Sequence, residues 1–204
     1  MRDDTIAGFL DQLAARVPAP GGGATAALHA AQAAALLAMV ARYSDGARYD
    51  AELMRRIVTE ADELREDALA LAEADADAFR AVAEAYRLPH GTEAERTARS
   101  ESISSALAGA ARPPADVVRT ALLLVSLAAE LLPAGNQNMI TDVAAAAEAA
   151  RAAAVTARLL IEVNLGGIAD AVLVDEFATT AAAADTVTER ADEIIASVRA
   201  EIAT

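Results

Sequence analysis

Residues 54–85 read MRRIVTEADELREDALALAEADADAFRAVAEA, and this stretch decides the fold. Met54, Ile57, Ala61, Leu64, Ala68, Leu71, Asp75, Ala78, Val82 and Ala85 recur alternately three and four residues apart. That spacing keeps them on one side of a helix, and a seam sustained this long predicts packing against neighbouring helices along its whole length. One member of the seam is a carboxylate. Asp75 stands where the pattern calls for an apolar residue, while Asp77 falls off the stripe and can face water. A bare carboxylate costs several kcal/mol to bury unless it is paired or hydrogen-bonded. Asp75 is therefore either a structural acid, capping a neighbouring helix or pairing with an arginine, or a site residue.

Outward from this helix the punctuation is clear. Leu88-Pro89-His90-Gly91 ends it, and Thr92 with Glu95 forms a T-x-x-E capping box for a helix reaching about Ala111. Arg112-Pro113-Pro114 predicts a corner, followed by a helix from about Ala115 to Leu132 that Pro133 closes. Toward the N-terminus, Ile6, Phe9, Leu10, Leu13 and Val17 predict a helix over about 5–17, ended by Pro18. A second helix is expected over about 24–43, before the break Ser44-Asp45-Gly46. Further on, helices are expected over about 139–163 and, after Asn164-Leu165-Gly166-Gly167, from near Asp170 to Ile202. Strand formers never gather in a bounded run. The expectation is an all-α, up-and-down bundle with long alanine-rich helices, forming one domain over residues 1–204.

Composition sharpens this. The apolar share of 55% is inflated by alanine, and aromatic residues make up only 3%. Alanine favours helix and carries almost no bulk, so such helices bury themselves by close backbone approach. A small, smooth unit of this kind is expected to finish its core at a subunit interface, as a homodimer. The net charge is −14, and every one of the 17 basic residues is arginine. An acidic surface disfavours nucleic acid and anionic membranes, which need clustered cations. The absence of cysteine removes disulfides, thiolate nucleophiles and thiolate-bound zinc. Met1-Arg2-Asp3-Asp4 lacks a signal-peptide core, and the apolar stretch Ala24–Val40 is interrupted by Thr25, His29 and Gln32. A soluble cytoplasmic protein is expected.

Two loops carry the candidate chemistry. Pro18-Ala19-Pro20 leads into Gly21-Gly22-Gly23 at a helix start, where unpaired backbone N–H groups sit at the positive end of the dipole. The second loop, Gly135-Asn136-Gln137-Asn138, also opens a helix. A site is expected where these helix ends meet. Only His29 and His90 are present, too few and too separated for a histidine metal centre, and no metal is expected. No Ser-His-Asp spacing appears. Carboxylates, amides and backbone donors remain: Asn136, Asn138, Asp142 and Asn164 fall at or near helix ends. Each is explained singly as an N-cap or a first-turn acid, or together as a site.

P-A-P-G-G-G at 18–23, D-A-D-A-F at 75–79 with A-Y-R-L-P at 85–89, G-N-Q-N-M-I-T-D at 135–142 and V-N-L at 163–165 follow in order. Together they resemble the cyclodeaminase/methenyltetrahydrofolate cyclohydrolase family, which includes the C-terminal domain of formiminotransferase-cyclodeaminase and free-standing bacterial relatives. The resemblance implies an all-α dimer acting on the one-carbon unit that bridges two nitrogens of tetrahydrofolate. One relative closes formiminotetrahydrofolate to the methenyl form with loss of ammonia; the other adds water to the methenyl form, giving 10-formyltetrahydrofolate. Hydrolysis is the favoured direction for a free-standing chain. The resemblance further implies that Asp75 or Asp142 transfers the proton while the other holds the pterin or the cation. Asn136, Asn138 and Asn164 would orient the ring edge, and Gly21, Gly22 and Gly23 would offer N–H donors to a ligand carboxylate or carbonyl. The folate derivative is the substrate, with no metal or redox cofactor. Relatives commonly carry lysines where this chain has Ala47-Arg48, His90 and Gln137, which leaves Arg48 as the cation for a glutamate tail. The rival readings are the same site adapted to a non-folate cyclic amidine, iminium or pterin-like compound, and a helical binding protein without catalysis.

Overall fold

The computed structural model describes residues 4–203, so Met1–Asp3 of the N-terminal segment lie outside the described residues. Six α-helices and one short 3-10 turn follow in order, and no strand occurs among the described residues. They are α1 (Ile6–Ala14), α2 (Gly22–Arg42), α3 (Ala51–Tyr86), α4 (Glu93–Ala134), α5 (Ile140–Leu165) and α6 (Ala171–Ile202). Successive helices pack side by side from α2 to α6, and α2 also packs on α5, so α2–α5 close into a four-helix, up-and-down bundle. Helix α6 lies along α4 and α5.

Alanine sets the packing. Twelve residues of α2 are buried, nine of them alanine, and the facing stripe of α5 buries Ala146, Ala147, Ala150, Ala153, Ala154 and Ala157. So little side-chain bulk at the contact allows the two helix backbones to approach closely. The apolar windows of α2 and α4 are long enough to cross a membrane, and 61% and 50% of them lie inside the bundle. Large side chains such as Leu37, Ile57, Leu124, Leu131 and Ile161 fill what alanine leaves open.

The seam of α3 holds with one change of register. Met54, Ile57, Ala61, Ala68 and Ala85 are buried, but Ala72 takes the innermost place next to half-buried Leu71. The expected capping box forms at Thr92 and Glu95, and Asp50 and Asp170 also cap α3 and α6. Two expectations fail. Helix α1 stops at Ala14, three residues short of Val17. The corner at Arg112-Pro113-Pro114 does not exist, because α4 runs unbroken through both prolines. Pro113 and Pro114 are themselves buried, and packing on both sides outweighs the lost backbone bonds. Lacking N–H groups, they leave the carbonyls of Gly109 and Ala110 without their helical donors.

Candidate active site

The site is built around the first turn of α2. Gly21 is the N-cap, Gly22 and Gly23 open the helix, and Pro18–Pro20 approach it through a cis Ala19–Pro20 peptide. Opposite lies Asp75, two-thirds of the way along α3. A Cβ built on Gly23 would sit 1.9 Å from Asp75 Oδ1 and 2.2 Å from its Cγ, so the carboxyl group occupies the space that any larger residue would need. Gly21 and Gly22 are under no such constraint: a Cβ meets nothing within 4 Å at Gly21, and only Leu160 at 3.9 Å at Gly22. The glycine that the fold requires is therefore Gly23.

The carboxyl group is half-buried. Burial pushes its pKa above the ordinary value of 3.8, and a hydrogen bond from the Ala24 N–H opposes that rise. The positive end of the α2 dipole acts in the same direction as the Ala24 bond, yet desolvation dominates. One of the free donors of the glycine turn is thus spent on a protein carboxylate. Those of Gly22 and Gly23 remain at the helix start, where no intrahelical acceptor exists for them.

Around this pair lies a cavity of about 240 Å³. Its walls are the Pro18–Gly23 turn, Asp75, Phe79 and Val82 of α3, Ala110 of α4, and Leu160, Val163 and Asn164 of α5. Asn164 Nδ2 donates to Leu160 O at 2.7 Å, which fixes the amide plane and leaves its oxygen for another partner. Asp75 is the one charged residue in the lining. A polarisable acid with a raised pKa, a fixed amide and free backbone donors around a small apolar hollow can move a proton at a bound carbon–nitrogen centre.

Larger hollows exist elsewhere, such as one of about 760 Å³ between α4 and the α5–α6 turn that includes Ser104 and Arg112. It lies apart from Asp75 and from the Pro18–Gly23 turn.

The structure brings together Gly21, Gly22, Gly23, Asp75 and Asn164. It does not bring Asn136, Asn138, Asp142 or Arg48 to them within one chain, so the two loops do not meet as expected. Asn136 lies at the far end of α2: its N–H donates to Ser44 Oγ at 2.8 Å and its Nδ2 to Tyr43 O at 3.1 Å. Helix α2 has 21 residues, which at 1.5 Å each places the two corners about 30 Å apart. Asn136 also accepts from Asn138 N, and Gln137 Nε2 reaches Leu132 O and Gly135 O. These amides tie the α4–α5 connection to the C-terminal end of α2. Arg48 bonds the Tyr49 hydroxyl and covers the Tyr49 ring, 4.6 Å from its centroid. Both loops open helices, but the connectivity places those helix starts at opposite ends of the bundle.

Sequence reasoning passed over Phe79, Val82, Ala110, Leu160 and Val163. The spacing Asp75-x-x-x-Phe79 was the available signal, since positions four apart on a helix share a face.

The chain is 34% identical to the methenyltetrahydrofolate cyclohydrolase of Methylorubrum extorquens, over 85% of each. It is 33% identical to the mouse formimidoyltransferase-cyclodeaminase over 82% of this chain, and spans about a third (32%) of that longer protein. A crystal structure of formiminotetrahydrofolate cyclodeaminase from Thermotoga maritima superposes with a TM-score of 0.82 at 28% identity, covering 97% of this chain and 98% of that one. Residues 5–183 match the family model described as formiminotransferase-cyclodeaminase, and the chain belongs to that family.

Proposed function

We propose that the protein is a cyclohydrolase of the methenyl carbon of tetrahydrofolate, with Asp75 as the proton-transfer group. The observation that carries this is the partly desolvated Asp75 carboxyl seated on Gly23 inside a small cavity. In hydrolysis, water adds to the amidinium carbon between two nitrogens. Asp75 takes the water's proton as the new C–O bond forms. The tetrahedral carbon then expels one ring nitrogen, to which Asp75 returns the proton; the formyl group stays on the other, and the second water proton is released. In the ammonia-releasing direction the same carboxyl protonates the departing amine as the second ring nitrogen closes on the carbon. A base whose affinity for protons is lifted toward neutrality serves both halves better than an ordinary aspartate. The methenyl unit is a delocalised cation, so a nearby carboxylate also lowers the energy of the bound reactant and of the charge that moves in the reaction.

The test is direct. Wild-type protein added to 5,10-methenyltetrahydrofolate should speed the loss of its absorbance, with 10-formyltetrahydrofolate as product. No acceleration, in either that assay or the ammonia-releasing one with formiminotetrahydrofolate, refutes the reading. The pH profile should carry the imprint of Asp75. Its pKa is raised, so turnover that needs the carboxylate declines as pH falls through a value above 3.8, before an ordinary aspartate would protonate.

We further propose that the protein works as a homodimer through the α2–α5 face. Val155, Leu159 and Val163 stand four residues apart along α5, 43%, 61% and 75% exposed, on a helix that packs against α2. Two adjacent helices of this length offer a face of about 30 by 20 Å, close to the ~800 Å² per partner that stable dimers bury. An antiparallel two-fold pairing on it would bring the partner's amide-rich corner toward this cavity. Leu159→Glu should then give a monomer by sedimentation, with activity lost. A wild-type monomer with full turnover would refute the pairing.

A further inference from the structure

Phe79 is the unexplained residue of the cavity. The chain has three phenylalanines: Phe177 is buried, Phe9 packs against the core, and Phe79 is 49% exposed. A lone exposed aromatic needs no special cause. This one lines a concave wall beside a titratable carboxyl, one helical turn after Asp75 on the same face of α3. Helical side chains lean toward the N-terminus, so the ring is directed over the turn that carries Asp75.

What the ring faces can be read from the rest of the wall. No arginine lines the cavity. Its polar side chains beyond the glycine turn are electron-rich: the Asp75 carboxyl and the Asn164 amide, whose nitrogen is engaged by Leu160 O. An aromatic face adds negative quadrupole to that set. Such a wall fits a flat, positively charged, delocalised ring system better than a neutral one of the same outline.

We propose that Phe79 is the stacking platform for the cationic heterocycle, and that it sets the preference of this site for the charged over the neutral form of its ligand. The inference rests on the proposed function, because the cation is the methenyl form. Phe79→Leu keeps an apolar side chain but removes the π face. It should raise KM for 5,10-methenyltetrahydrofolate about tenfold, in line with a desolvated cation–π contact, with kcat within about threefold. Binding of neutral 5-formyltetrahydrofolate, followed by calorimetry, should change by less than about threefold. Phe79→Tyr should match the wild type. Incorporating pentafluorophenylalanine at position 79, which keeps the shape and reverses the ring polarity, should reproduce the leucine defect and guards against a misfolded variant.

A leucine variant with unchanged KM overturns the platform, as does one that loses both ligands equally, since that would mean apolar contact alone. If wild-type protein neither binds nor converts the methenyl form, the functional reading falls and takes the platform with it. If the wild type converts it and the variants match, the platform alone falls.

Discussion

Replacing Asp75 by asparagine is expected to lower turnover of the methenyl form by about 10²–10⁴-fold, the span of a lost general acid/base, while the protein folds as before. The amide is nearly the same size, and its oxygen can still accept from the Ala24 N–H. What it cannot do is take up and return a proton. The stability of the variant supplies an independent check on the cause. The folded-state pKa of Asp75 lies above the unfolded one, so the folded protein holds this proton more tightly. Its stabilising contribution is fully present below pH about 3.8, the unfolded value, and is lost as pH rises through the folded value. At neutral pH the wild type carries a partly desolvated charge that asparagine lacks. Asp75→Asn should therefore melt at or above the wild-type temperature at pH 7 and lose that advantage in acid. Undiminished turnover would remove Asp75 from the mechanism. A large fall in melting temperature would make it a structural acid.

Gly23→Ala is expected to do nearly the same damage from the opposite wall. A methyl group 1.9 Å from Oδ1 cannot coexist with the carboxyl, so either Asp75 rotates out of the cavity or the helices part. Helix propensity works the other way, since alanine is favoured over glycine inside a helix by about 1 kcal/mol. A loss of at least about 30-fold in kcat/KM with little change in stability is the result that a displaced carboxyl predicts. Gly22→Ala is the control one residue away: its Cβ meets only Leu160 at ordinary contact distance, and activity should stay within about threefold. In the Asp75→Asn background, Gly23→Ala should cost little more activity, because both changes disable one group. Independent, multiplying losses would show that the added methyl obstructs the ligand directly, apart from its effect on Asp75.

The long-range order of the molecule was legible in the seam of α3, whose spacing forced a packed helix and marked Asp75 as an acid at an apolar position. The caps at Asp50, Thr92 and Asp170 follow from short-range chemistry and form where local sequence alone demands them. Pro113-Pro114 misled, because proline's cost to a helix is local while the packing that overrides it is contributed by residues distant in sequence. The pairing of Gly23 with Asp75 was half visible. The sequence carried a glycine turn and a buried acid, but nothing in their 52-residue separation gave their contact. The amide corner was assigned to the same place on residue type alone. Only the direction of α2 separates the two loops, and residue type carries no information about that direction within a bundle.

A crystal structure of the protein soaked with 5-formyltetrahydrofolate tests most directly whether this small hollow is where the one-carbon unit is handled. The formyl group should lie against the α3 carboxyl, with the pterin across the aromatic ring one turn further along. A ligand seated instead in the serine-lined groove beside Arg112, clear of that carboxyl, would contradict the account.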